Sequence, residues 1–135
     1  MKESMNIMSG YLIRVEFEDV DSYKIVHHTK LLAYLERART DYFSSVGISL
    51  GELPFAVLVQ QVSMRFISSA KLFDEVTVSA TIKSCESYKF VVEQKIMRGS
   101  ELLVKAQVTH ALQDFNTLET VAVPDTFFEL MGIHK

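Results

Sequence analysis

Hydrophobic and polar residues alternate along much of this chain, and a helical spacing interrupts that alternation once. A two-residue period is typical of a β-strand, and it occurs in five stretches: 11–18, 55–67, 75–83, 88–97 and 101–113. Apolar residues at three- and four-residue spacing fill residues 29–46 instead and predict one long helix. A short helix is predicted after Pro124, with Gly132 just past its end.

The long helix is predicted from an apolar stripe and from residues suited to its two ends. Thr29 is an acceptable N-cap, and Gly47 can adopt the left-handed conformation past the C-terminus, with Ile48 placed to contact Phe43. The stripe comprises Leu31, Leu35, Ala38 and Tyr42, with Leu32, Phe43 and Val46 beside it. The charged residues between them are expected to be solvated: Lys30, Arg37, Arg39 and Asp41.

The strand over residues 55–67 has two faces of different character. One face is nearly all apolar and consists of Ala56, Leu58, Gln60, Val62, Met64 and Phe66. The other face has polar positions that are candidates to contact a ligand or a second subunit, and it consists of Val57, Val59, Gln61, Ser63 and Arg65. In the last strand, His110 falls on the apolar face and is interpreted as a core residue rather than a catalyst.

These elements predict one α+β domain over residues 1–135. We expect a mostly antiparallel five-stranded sheet wrapped around one long central helix, because the later strands are joined by short turns. The edges of such a sheet stay open and invite pairing with another chain. Residues 1–8 are expected to be disordered.

Composition and missing motifs exclude several classes of function. The net charge of −3 does not favour nucleic acid as a partner. The single cysteine, Cys85, excludes an internal disulfide framework and favours a cytoplasmic location. No stretch approaches the roughly 20 apolar residues of a membrane span. A G-x-S-x-G elbow and a phosphate-binding glycine loop are both missing, and the adjacent His27 and His28 lack the spaced partners of a zinc site.

Acidic residues precede the predicted helix, and their position suggests chemistry. Asp19 and Asp21 lie in a short polar segment before the helix. The first N–H groups of a helix have no partner within it and lie at the positive end of the helix dipole. An oxyanion that forms on a thioester or ester carbonyl would be stabilised there, with Asp21 close enough to attack or to position a water. Alternatively, both acids are turn residues and Thr29 merely caps the helix.

The same segment resembles the signature of acyl-CoA thioesterases of the 4-hydroxybenzoyl-CoA thioesterase type, which have the hotdog fold. That signature reads roughly D-x-D-x-x-G-x-V-x-[HYN]-x-x-Y-x-x-[YWF]-x-E-x-A-R. This chain matches it in register at Asp19, Asp21, Val26, His28, Glu36, Ala38 and Arg39. Two positions differ, since Lys24 stands at the family glycine and Leu31 at the family tyrosine. Because glycine commonly marks a backbone with positive φ, Lys24 bears directly on the conformation of the loop.

The resemblance implies hydrolysis of acyl-CoA or acyl-carrier-protein thioesters, with no cofactor beyond the CoA or phosphopantetheine of the substrate. It assigns Asp21 as the catalytic carboxylate, either nucleophile or general base. It places His28 at the helix start over the thioester and Glu36 as an acid on the helix. It also implies a homodimer or homotetramer with active sites at the interface. CoA phosphates need cations, for which Lys71, Lys83, Lys89, Lys95 and Arg98 are candidates, and each is alternatively a solvated surface residue.

Two other functions fit the same residues. A dehydratase of carrier-bound hydroxyacyl chains needs a histidine and an acid, for which His28 and Glu36 are a conceivable pair. A non-catalytic binder of acyl-CoA or of a protein partner is favoured by Lys24 in place of the family glycine. Release of free thiol identifies hydrolysis, an enoyl product identifies dehydration, and tight binding without either identifies a binding module.

Overall fold

A computed structural model describes residues 10–133, which form an antiparallel sheet, one long helix and one short helix. The predicted disorder of residues 1–8 lies outside the described residues. The elements in chain order are β1 (Tyr11–Arg14), α1 (His28–Ser45), β2 (Phe55–Phe66), β3 (Glu75–Val78), β4 (Thr81–Cys85), β5 (Lys89–Arg98), β6 (Glu101–Asp114), β7 (Thr120–Val121) and α2 (Asp125–Leu130).

The sheet confirms the predicted α+β architecture. Its main path runs β1-β3-β5-β6-β2, and each pair of neighbouring strands is antiparallel. The stretch 75–83, predicted as one strand, is broken at residues 79–80 into β3 and β4, both of which pair with β5. The two-residue strand β7 pairs with β6 and is too short to show any period.

The first strand is shorter than predicted. It ends at Arg14, and a 3-10 turn over Phe17–Asp19 replaces the second half of the expected alternation. The carboxylate of Asp19 accepts a hydrogen bond from the Glu16 backbone N–H at 3.0 Å, which stabilises this turn. Phe17 is consequently 75% exposed rather than directed into the core.

The C-terminus of α1 confirms the prediction, whereas its N-terminus lies two residues earlier than expected. Gly47 has φ of +93°, and the N–H of Ile48 donates to the Phe43 carbonyl at 2.8 Å. This pattern is a Schellman motif, which requires a residue that tolerates positive φ. The N-cap is His27 instead of Thr29, and the helix begins at His28.

One residue predicted to be solvated on α1 is buried. Arg39 is only 8% exposed, and its Nη1 donates to Oε1 of Gln94 on β5 at 3.0 Å. The Gln94 amide in turn donates to the carbonyls of Leu35 at 3.0 Å and Ser79 at 3.2 Å. The guanidinium therefore lies between the helix and the sheet, where its partner comes from a strand distant in sequence. The buried side chains of the helix are Leu31, Tyr34, Leu35, Ala38, Arg39 and Phe43.

The two predicted faces of β2 are wrong, because a β-bulge exchanges them partway along the strand. The register with β6 shifts between Val59 and Gln61, so one extra residue is accommodated there. Val57 and Val59 before the bulge lie on the inner face, which faces α1, as do Val62, Met64 and Phe66 after it. The outer face carries Ala56, Leu58, Gln61, Ser63 and Arg65.

His110 is a core residue, as predicted. It is 3% exposed and stacks on Phe90 with ring centroids 4.9 Å apart, while Phe43 packs edge-on at 5.6 Å. Among residues 10–133, neither ring nitrogen has a hydrogen-bond partner of good geometry, although the Leu58 backbone lies close enough to interact with the ring. Burial and the nearby Arg39 cation lower the pKa of His110 to about 4, an effect that the Leu58 backbone opposes. The imidazole is therefore neutral near pH 7.

Candidate active site at the start of the long helix

A cavity of about 360 Å³ opens where the loop after β1 meets the first turn of α1 and the end of β2. Asp21 and His28 both line it, so the structure brings together two of the three predicted site residues. The remaining lining residues are Ile25, Val26, His27, Leu31, Phe66, Ile67, Ser68, Ser69 and Ala70. The cavity thus combines an acid and a helix start with an apolar wall.

The half-buried carboxylate of Asp21 is held by its own loop. Its Oδ1 accepts hydrogen bonds from the backbone N–H groups of Tyr23 at 2.8 Å and Ile25 at 3.2 Å. The backbone of Asp21 also bonds to Ile25 and Lys24, which closes the turn. Its other oxygen, Oδ2, has no hydrogen-bond partner among residues 10–133. Asp21 is therefore a turn residue and also presents one oxygen that is available to a ligand.

Lys24 takes the conformation that the family pattern reserves for glycine. Its φ is +65°, in the left-handed region, and its side chain is exposed. The Lys24 carbonyl accepts the N–H of Leu72 at 3.1 Å, and the Val26 N–H donates to the Ala70 carbonyl at 2.9 Å. The segment after β2 thus fixes the loop through main-chain bonds, so lysine keeps the turn at the cost of local strain.

The helix start presents amides without partners. The carbonyl of His27 accepts the N–H groups of Lys30 at 3.0 Å and Leu31 at 3.2 Å. Within the described part of the chain, the N–H groups of His28 and Thr29 donate no hydrogen bond. They lie at the positive end of the helix dipole, where an anion or an oxyanion is stabilised. The His28 side chain is exposed at the cavity.

Asp19 has a structural role, and Tyr34 is a supporting residue that the sequence analysis did not single out, although the aromatic position of the family signature falls on it. The buried Asp19 carboxylate accepts the Tyr34 hydroxyl at 2.8 Å, and Lys30 Nζ lies 3.7 Å away. Burial raises the pKa of the Asp19 carboxyl, but hydrogen bonds from Glu16 and Tyr34 and the Lys30 cation outweigh it and hold the pKa below its usual value. This ionised carboxylate ties the loop to the second turn of α1.

Glu36 does not join the other two candidates within one chain. It is exposed and borders a separate surface groove together with Tyr11 and Thr40. It lies eight positions after His28 on the helix, which corresponds to roughly 12 Å along the axis. Across residues 10–133, no three His, Cys, Asp or Glu side chains converge as metal ligands. None of the described helices is long and apolar enough to cross a membrane.

The sheet is antiparallel and surrounds one long helix, and an acid loop and free amides lie at the start of that helix. These features are those of the hotdog class of thioester-binding proteins. The chain belongs to the thioesterase superfamily, whose family model matches residues 23–105. It is 31% identical over 119 residues to the acyl-CoA thioesterase YbgC of Haemophilus influenzae, covering 85% of this chain and 88% of that protein.

Solved structures share the fold. A 1,4-dihydroxy-2-naphthoyl-CoA thioesterase from Synechocystis superposes with a TM-score of 0.84 at 22% identity, covering 91% of this chain and 94% of that one. A 4-hydroxybenzoyl-CoA thioesterase variant in complex with 4-hydroxybenzoyl-CoA superposes with a TM-score of 0.82 at 20% identity, covering 91% and 97%. The resemblance seen in the Asp19–Arg39 segment therefore extends over nearly the whole chain.

Proposed function

We propose that this protein hydrolyses acyl-CoA thioesters to a free acid and CoA. The observation that carries the proposal is the meeting, at one cavity, of an acid with a free oxygen and the unpartnered amide of His28, which the unpartnered amide of Thr29 follows along the helix. The relative from Haemophilus influenzae and both solved neighbours bear names that refer to CoA thioesters. The single cysteine, Cys85, can form no disulfide within the chain, which supports the proposed cytoplasmic location.

In the proposed reaction, the thioester oxygen lies against the N–H groups of His28 and Thr29. These amides are already oriented, so they stabilise the negative charge that develops when the carbonyl is attacked. Asp21 then has two possible roles. As a nucleophile it displaces the CoA thiolate and forms an anhydride that water hydrolyses. As a general base it takes a proton from a water that attacks the carbonyl carbon directly.

The matched substitution Asp21→Asn tests this role. It preserves the size of the side chain and an oxygen that can accept the turn hydrogen bonds, but it removes the negative charge. We expect thiol release from short, long and aromatic acyl-CoAs to fall by at least about a hundredfold, while the exposed control Asp41→Asn retains activity. Undiminished turnover in folded Asp21→Asn protein would refute the role.

The products formed from such thioesters, and binding without turnover, separate the alternative functions. An enoyl product from a hydroxyacyl thioester would indicate a dehydratase, although His28 and Glu36 lie apart on the helix within one chain. Binding of acyl-CoA without thiol release would indicate a binding module. Turnover of acyl-carrier-protein but not of acyl-CoA would place the substrate on a carrier.

We also propose that two copies pair through β2, the edge strand whose inner face is only partly covered by its own helix. Val59 is 48%, Val62 38%, Phe66 57% and Ile67 50% exposed, and the last two line the cavity. A second copy against this strip buries apolar surface and satisfies the free strand edge. Val62→Glu is expected to yield monomers in sedimentation at micromolar concentration, whereas Leu12→Glu on the opposite edge strand is not. A wild-type protein that sediments as a monomer contradicts the proposal.

A further inference from the structure

Three cations stand side by side on the outer face of the sheet. Arg65 on β2 is directly opposite Lys105 on β6, and Lys105 is directly opposite Lys95 on β5. All three are exposed, while the residues that flank Lys105 and Lys95 along their strands are buried on the α1 side. The three residues, called the cation row from here on, cross three adjacent strands at one level.

The cation row is unfavourable in the isolated chain. Adjacent strands lie about 4.8 Å apart, and like charges placed directly opposite one another destabilise a sheet. No carboxylate lies within 4.0 Å of any member among the described residues, unlike Arg98, which pairs with Asp74 and Glu101. An acidic protein therefore keeps three positive charges in register on one open surface, and none of them has an ion-pair partner among the described residues.

We propose that the cation row is a docking site for an acidic α-helix of a partner protein. Carboxylates three or four residues apart on a helix are roughly 5–6 Å apart, close to the spacing between strands. A helix that crosses the strands at this level can therefore place successive carboxylates opposite successive cations. Ser63 and Gln107 lie in the next row and, with Arg65 and Lys105, line a shallow groove of about 500 Å³ that provides further polar contacts.

Other anionic occupants fit this surface less well. A free phosphate would find only exposed, hydrated side chains and no buried donor. A membrane would need a broad basic surface, but the row is a single residue deep and Glu93 lies next to it on the same face of β5. A second copy docked through the same face would bring like charges together. Arg65 directly precedes Phe66, which lines the cavity from the opposite face of β2, so a docked partner would lie across the sheet from the candidate active site.

The probe is a pair of synthetic amidated helical peptides of about 20 residues, long enough to populate a helix. One peptide carries glutamates at i, i+4, i+7 and i+11, and the other has the same composition with glutamates distributed around the helix. Their affinities for the full chain are measured by fluorescence anisotropy at low and high salt. The variants are Lys105→Glu, which reverses the central charge of the row, and Lys83→Glu, which reverses an exposed charge on β4 outside it.

We expect the striped peptide to bind better than the distributed one, and salt to weaken its binding. Lys105→Glu should lower its affinity about tenfold, because one exposed ion pair is lost and a repulsion is gained. Lys83→Glu should change it less than about twofold, since such a charge acts only from a distance. Lys105→Glu should also raise the melting temperature, because it relieves repulsion within the sheet, and this shows that a loss of binding is not a loss of folding.

Three results would overturn the docking site. Equal binding of the two peptides, or no binding at low salt, contradicts the proposed match between the spacing of carboxylates on the helix and that of cations on the strands. If Lys83→Glu and Lys105→Glu lower the affinity for the striped peptide equally, the interaction depends only on the net charge of the protein. A Lys105→Glu variant that binds the striped peptide normally but loses affinity for phosphatidylserine vesicles, or shows a raised KM for acyl-CoA, assigns the row to a lipid or to the nucleotide instead.

Discussion

Replacing His28 by proline removes an amide hydrogen from the candidate site, together with the imidazole, and leaves the rest of the chain in place. His28 is the first residue of α1, and its N–H donates no hydrogen bond within residues 10–133. Proline is favoured at this helical position because its missing N–H is not needed there. The preceding His27 has φ of −62° and ψ of 143°, a conformation that a following proline prefers. His28→Pro is therefore expected to fold with nearly unchanged stability.

The proposed mechanism sets the size of the effect. If the His28 amide stabilises the oxyanion, its loss should lower kcat about 100- to 1000-fold, as the loss of one such donor does in other hydrolases. The Thr29 amide remains, so activity should not vanish. Because the bond strengthens mainly in the transition state, KM should change little. Thiol release gives both constants, and a urea transition confirms the fold.

His28→Ala is the matched control, since it removes the imidazole and retains the amide. If the His28 amide stabilises the oxyanion, we expect His28→Ala to keep most of the activity. An equal loss in His28→Ala and His28→Pro would assign the role to the imidazole. Unchanged kcat in folded His28→Pro would exclude this amide from the oxyanion site.

Three further outcomes follow from the core and the loop. Gln94→Leu leaves the Arg39 guanidinium buried without an acceptor and should lower the free energy of unfolding in urea by about 3–5 kcal/mol. The double variant Arg39→Met with Gln94→Leu should recover most of that loss. A double variant as unstable as the sum of the two single variants contradicts this coupling. The folded-state pKa of His110, about 4, lies below its unfolded value, so stability should be full above about pH 6.5 and fall by up to about 1.4 kcal/mol per pH unit towards pH 4. His110→Phe should flatten that dependence, and an unchanged slope would show that another group titrates. Lys24→Gly should stabilise the loop by about 0.5–1 kcal/mol, because the relief of left-handed backbone strain exceeds the conformational entropy that glycine loses on folding. Lys24→Ala should not stabilise the loop. Equal effects of the two substitutions would argue against strain.

Local chemistry predicted the features that depend on neighbouring residues. The end of α1 follows from Gly47, because positive φ is a property of the residue itself. The acid loop and the helix start were likewise found from residues close together in sequence. The N-cap is His27 rather than Thr29, and both precede the apolar stripe. The hydrogen bond from the His27 N–H to the Asp19 carbonyl, which distinguishes them, is not visible in the sequence.

Features that depend on distant partners were missed. The bulge in β2 is set by its register with β6, so alternation alone exchanged the faces on one side of it. Arg39 looked solvated because its acceptor, Gln94, is 55 residues away. The bond from Tyr34 to Asp19 spans 15 residues and converts one of two similar acids into a structural group.

The main-chain hydrogen bonds around Asp21 distinguish the backbone that holds the loop in place from the side chains that can be substituted without disturbing it. The loop is closed through the backbones of Asp21, Lys24 and Ile25, and it is fastened to the segment after β2 through backbone atoms as well. Ser22 and Tyr23, both exposed, contribute no side chain to this framework. Mutations at Ser22 and Tyr23 can therefore accumulate without displacing the acid. A lineage with this loop can change its exposed surface while the Asp21 carboxylate stays in register.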